Sequence, residues 1–296
     1  MSYKHCICLH RLLIATAFIM LTGVTVSAQQ RFKVERSESG HYLISAAVCG
    51  TSTEVMLESA IPAFLIGEDF YHQYMKDCGL KFEPSKAKIR LMNTTYSVAC
   101  KSKGTIPFGE AIYEGPIWIM EDFDDLRVPI QYLKSAGNGN ATVMVSLQDG
   151  WMSVGEDPRR HDGASFKLGT DKSTGCPTVK ARVALTTAKG ESVLNGCLNI
   201  DFGNAMLLAL EKTHKGFAKA IEEDRIAVND AKDRNGNIVA QGIYAEELSL
   251  LNKDFKGKSI LIHPGWNNRK ILGLLGIPFF DSTVMFDFKH HTMIVL

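Results

Sequence analysis

The sequence predicts a mostly β chain built as two similar lobes. Three observations point there. Short runs of β-branched and aromatic residues, broken by Gly, Asn and Pro, dominate the chain. Helical periodicity is confined to two segments, Glu68 to Cys78 and Leu207 to Glu223. The order of elements in the first half also recurs in the second, the mark of an internal duplication.

The chain opens with Lys4 and Arg11 around a short polar start, an apolar run from Leu12 to Val26, and small residues at Val26-Ser27-Ala28. That pattern predicts a secretory signal over residues 1–28, cut after Ala28. The apolar run is shorter than the ~20 residues a spanning helix needs, so stable membrane insertion is not expected. Cys6 and Cys8 would leave with the signal. An exported location, periplasmic or extracellular, follows as the expectation.

After the signal the first lobe, residues 29–169, offers a strand pair at His41 to Val48 and Thr53 to Leu57. Glu58-Ser59-Ala60, an apolar run to Ile66 and a helix come next. The second lobe, residues 170–296, offers Thr178 to Thr186 and Ser192 to Ile200, then Asp201-Phe202-Gly203, an apolar run to Leu210 and a helix. Each lobe continues into a hairpin, Ile89 to Ala99 around Asn93-Thr94 and Ile226 to Gln241 around Asn235-Gly236, the latter a strong tight-turn signal. Two more strands follow in each, Gly104 to Phe108 with Gly115 to Met120, and Glu246 to Leu251 with Lys258 to His263. The boundary falls near Gly169 to Cys176, where Gly, Ser, Thr, Asp and Pro cluster.

Composition narrows the function. Losing Lys4 and Arg11 takes the basic residues from 33 to 31, against 32 acidic ones, so no electrostatic case for nucleic acid survives. Cys49, Cys78, Cys100, Cys176 and Cys197 remain, an odd number that leaves at least one thiol free if disulfides form. Cys176 and Cys197 could bridge neighbouring strands. No CxxC pair occurs, and His290 and His291 would point to opposite faces of a strand, so no metal and no other cofactor is expected. HExxH, GxSxG and P-loop patterns are absent from the sequence.

The segment Leu274-Leu275-Gly276-Ile277-Pro278-Phe279-Phe280, followed by Val284 to Phe288 and Met293 to Leu296, resembles the closing part of a pepsin or retropepsin lobe. Upstream, Leu198-Asn199-Ile200-Asp201-Phe202-Gly203-Asn204-Ala205 sits where that superfamily carries its hydrophobic-hydrophobic-Asp-Thr-Gly-Ser loop. The chain thus resembles the aspartic peptidases, as a divergent, bacterial-type secreted member with a degenerate first-lobe motif. The resemblance implies a pepsin/retropepsin-like acid-protease fold and two facing carboxylates that share a proton and activate a water. Asp201 and Gly203 match the motif. Phe202 stands in place of the Thr or Ser whose hydroxyl ties the two loops. In the first lobe Glu58 stands for the Asp, Ser59 still offers a hydroxyl, Ala60 replaces the Gly, and Val143-Met144-Val145-Ser146 is the nearest candidate for the hydrophobic-hydrophobic-Gly segment.

Two functions follow as expectations. One is an endopeptidase using Asp201 and Glu58, with acid-favoured cleavage of a peptide or protein substrate. The other is a catalytically inactive relative that binds peptide or another extended polymer in the interlobe cleft. Ser59, Gly203 and Tyr96, the last as a residue of a hairpin over the cleft, are the binding candidates, and a monomer is expected.

Overall fold

The computed structural model describes residues 30–91, 94–263 and 270–296. The expected signal over residues 1–28 and the hairpin residue Asn93 lie outside the described residues.

Each half forms a six-stranded barrel with one order of strands. In the first, Tyr42–Val48 pairs antiparallel with Thr51–Glu58, which runs parallel to Leu126–Pro129. Leu126–Pro129 is antiparallel to Phe64–Gly67, which runs parallel to Ala111–Met120. Ala111–Met120 then pairs with the long strand Thr94–Phe108, which closes back at Val48↔Phe108. In the second half, Pro177–Thr187, Gly190–Asp201, Ile271–Gly276, Leu208–Glu211, Lys253–His263 and Ile238–Leu250 repeat that order and directions. Ile238–Leu250 closes back on Pro177–Thr187. The two-lobed, mostly β fold read from the sequence is present.

A third sheet joins the halves. Its order is the first part of Gln30–Arg36, then Trp151–Val154, Thr142–Ser146, Val284–Asp287, Thr292–Val295 and the first part of Ala164–Thr170. Thr142–Ser146 and Val284–Asp287 meet antiparallel at its centre, and both are buried along their whole length. The far ends of Gln30–Arg36 and Ala164–Thr170 cross into the first and second barrels respectively, so each strand serves two sheets. One apolar core runs through both barrels and this sheet. A smaller cluster, Ile61, Ala63, Leu65, Val98, Met120 and Phe123, lies under the first-lobe hairpin.

Several sequence expectations need correction. Val143-Met144-Val145-Ser146 is not the first-lobe counterpart of Leu274-Leu275-Gly276; it is the partner of Val284–Asp287 in the joining sheet. The true counterpart is Leu126–Pro129, because Glu58 faces Pro129 across a parallel ladder as Asp201 faces Gly276. The helix expected over Leu207 to Glu223 is a buried strand, Leu208–Glu211, followed by a helix, Lys215–Glu222. A fully buried parallel strand has no alternating pattern, so its apolar run imitates a helical stripe. The first-lobe helix starts as Glu68–Phe70 and continues as a π-helix, Tyr71–Met75. Gly104 to Phe108 belongs to one strand with Thr94. His290 and His291 lie in a turn, where His290 Nδ1 is 2.7 Å from Asp287 Oδ2. Cys176 and Cys197 do not pair: Cys197 is opposite Lys180, four residues along the strand, and all five described cysteines are thiols.

Candidate active site

Glu58 and Asp201 each end a strand that runs into the seam between the lobes. The next residues turn sharply, so each carboxyl sits at a strand tip facing the other lobe. Ser59 fixes the two tips together. Its hydroxyl donates to the Ile200 carbonyl at 2.7 Å and accepts from the Phe202 N–H at 3.0 Å, across 141 and 143 residues of sequence. Both second-lobe backbone groups next to Asp201 are thereby satisfied in a dry place, since Ser59 is wholly buried.

Gly203 donates its N–H to Asp201 Oδ1 at 2.9 Å. A Cβ on Gly203 would lie 2.8 Å from Glu58 Oε2 and 2.9 Å from Oε1. The extra methylene of Glu58, relative to Asp, therefore carries its carboxyl across the seam onto the second-lobe loop, into space that only Gly leaves open. Gly276, opposite Asp201, has the same kind of constraint: its Cβ would be 2.0 Å from the Met206 carbonyl.

Glu58 is 4% exposed. Asp201 is half-buried as a residue, with its carboxyl surrounded by protein. Burial pushes the Glu58 carboxyl well above the usual carboxylate range, and the charge of Asp201 pushes it further; Arg127, Nη1 3.5 Å from Glu58 Oε1, opposes without outweighing them. Burial also raises Asp201, against the Gly203 N–H that favours its ionised form. Two interacting acids that both resist ionising lose their protons in separate steps, with a singly protonated pair between them. The nearby Cys176 thiol is pushed up to about 12, first by burial, and stays neutral.

Phe202 turns away from the seam. Its ring is fully buried, 4.9 Å from Phe280 and 5.9 Å from Phe286 between centroids. The reciprocal hydroxyl link is thus replaced by core packing on the second-lobe side. On the first-lobe side Gln131 supports the loop instead, donating through Nε2 to the Ser59 and Ile61 carbonyls at 3.3 and 3.2 Å. Phe202→Thr should therefore destabilise by about 3–5 kcal/mol although it supplies a hydroxyl, because it empties a packed aromatic site; urea unfolding of the two proteins measures this.

Tyr96 is half-buried on the hairpin formed by Lys88–Leu91 and Thr94–Phe108, edge-on to Phe123 at 5.2 Å. It packs on the small apolar cluster that contains Ile61, just beyond the Glu58 loop. Glu58, Ser59, Asp201 and Gly203 are thus brought together, and Tyr96 lies on the first-lobe side of them. Arg127 and Gln131 escape sequence reading. Each follows an apolar or polar run with no motif, and only the parallel pairing of Leu126–Pro129 with Thr51–Glu58 brings them to the site.

No protein-family model matches the chain, and no curated protein sequence matches it. Among solved structures, the aspartic proteinase from Irpex lacteus superposes with a TM-score of 0.59 at 10% identity, over 90% of this chain and 96% of that one. At that identity the likeness speaks for fold alone. Together with the duplicated barrels and the joining sheet, it establishes that the chain has the two-lobed fold of the pepsin-like aspartic proteinases.

Proposed function

We propose that the protein is an exported endopeptidase of the aspartic type in which Asp201 and Glu58 share a proton and activate a water against a peptide carbonyl. The observation that carries this reading is the meeting of the two carboxyls at the lobe seam, held by the Ser59 hydroxyl. The ionised member takes a proton from the water while the protonated member donates one to the carbonyl oxygen. Residues 1–28 serve as the export signal, with lobes over 29–169 and 170–296, in a divergent bacterial-type member of the superfamily working outside the cytoplasm as a monomer. Among the described residues no helix is long and apolar enough to cross a membrane.

A second reading has its own support. Phe202 and the longer Glu58 depart from the loop pair that the mechanism needs, and a shift of roughly 1 Å can cost a hundredfold in rate. On that reading the cleft binds an extended peptide without cutting it.

The pH profile of cleavage tests the proposal. Both carboxyls are raised, so the window in which the pair is singly protonated moves upward from the usual acid range towards neutrality. Digestion of an unstructured protein by the chain from Gln29 onward should give a bell-shaped profile, with both limbs displaced upward from those of unperturbed carboxylates. Saturable peptide binding with no hydrolysis at any point of that profile would instead establish the binding reading.

A further inference from the structure

We propose that Arg127 is a positioning residue that sets the proton count of the Glu58–Asp201 pair, an inference that rests on reading the pair as the reacting carboxyls. The duplication makes the case sharp. Arg127 faces Met56 in the ladder that pairs Glu58 with Pro129, and its counterpart in the second lobe is Leu274, which faces Asn199 in the ladder that pairs Asp201 with Gly276. One lobe thus carries a fixed cation where the other carries an apolar side chain.

The guanidinium is held on three sides. Nη2 is 2.7 Å from Asp125 Oδ2, the group lies 5.4 Å from the Phe123 ring centre, and Nη1 is 3.5 Å from Glu58 Oε1. Its side chain is only 13% exposed. A charge so nearly buried needs nearby counter-charge. Asp125, half-exposed, supplies part of it, and the shared carboxyl pair supplies the rest. With one proton the pair carries a single negative charge, which Arg127 balances; with two protons Arg127 loses that partner, and with none the two carboxylates repel. The cation therefore favours ionisation of Glu58 and lowers its titration. It offsets part of the burial that Glu58 suffers by reaching across the seam.

The other groups facing Glu58 do not duplicate this role. Asp201 lies across the seam, Asp125 stands behind Arg127, and the Cys176 thiol approaches from the segment between the lobes. His41, beside the strand Tyr42–Val48, feels Arg127 and Asp125, and burial pushes its own titration down.

The test uses the chain from Gln29 onward and two readouts: the pH profile of cleavage, and direct titration of the carboxyls by carbon NMR with labelled Glu and Asp. Arg127→Met should move the Glu58 titration up by about 1–3 pH units, and Arg127→Lys should restore most of the shift. Asp125→Asn should move the Glu58 titration down, because it removes a negative charge and frees Arg127 for Glu58. That substitution is at a half-exposed site and decides the matter if Arg127→Met does not fold. Unmoved carboxyl titration in either variant overturns the proposal. Shifted titration in a protein that never cleaves peptide would uphold the charge-setting role while rejecting the peptidase reading.

Discussion

Asp201→Asn should abolish cleavage, with a loss on the order of a thousandfold or more in kcat, while leaving the fold intact. The amide is nearly the same size as the carboxyl and its oxygen can still accept the Gly203 N–H that now reaches Asp201 Oδ1 at 2.9 Å. It cannot take a proton from water, so the shared-proton cycle stops. Stability should respond in a direction opposite to activity. Both carboxyls are raised on folding, so their contribution to stability is fully present below the ordinary carboxylate range and is lost as pH rises through the raised values. Removing Asp201 removes a charge that pushes Glu58 up and leaves the Arg127 cation, which favours its ionised form, in place. The variant should therefore melt higher than the parent in mildly alkaline buffer and equally in acid. Steady-state digestion and thermal melts across pH check both halves, and a fully active Asn variant would reject Asp201 as the reacting acid.

The barrels were legible because their strand order repeats, and a repeat shows in the sequence even when no residue is identical. Asp201 stood out for the same reason, framed by Leu198 to Ile200 before it and Gly276 behind it. What escaped reading belongs to the first lobe. Pro129 occupies the position of Gly276, and Arg127 interrupts the apolar run that would have marked the strand, so the unbroken apolar run Val143 to Val145, which serves the joining sheet, imitates the segment better. Gln131 is invisible for a different reason. It acts on the carbonyls of Ser59 and Ile61 from about 70 residues away, a contact fixed by parallel pairing and not by local pattern. Phe202 was visible as a departure, but where its ring goes depends on Phe280 and Phe286, which only the folded second lobe brings to it.

Ser59→Ala should be the most damaging small substitution at the seam. The hydroxyl serves the Ile200 carbonyl and the Phe202 N–H at once, at a position with no exposure. Truncation leaves both groups buried without that partner, and each such loss costs about 1–3 kcal/mol, so a total of about 2–5 kcal/mol is expected. At about 2–4 °C per kcal/mol for a protein of this size class, the melting temperature should fall accordingly. The substitution also removes a pin between the Glu58 and Asp201 loops, and Phe202 has no hydroxyl to compensate from the other side. Cleavage should fall more steeply than stability, because the carboxyls need their spacing held even in molecules that remain folded. Ser59→Thr separates the two effects: it keeps the hydroxyl and adds one methyl to a closed site, so it should cost less and retain most activity. Urea unfolding together with kcat for the Ala and Thr variants is the measurement. Equal losses in both would mean that packing at Ser59, and not its hydroxyl, holds the lobes in register.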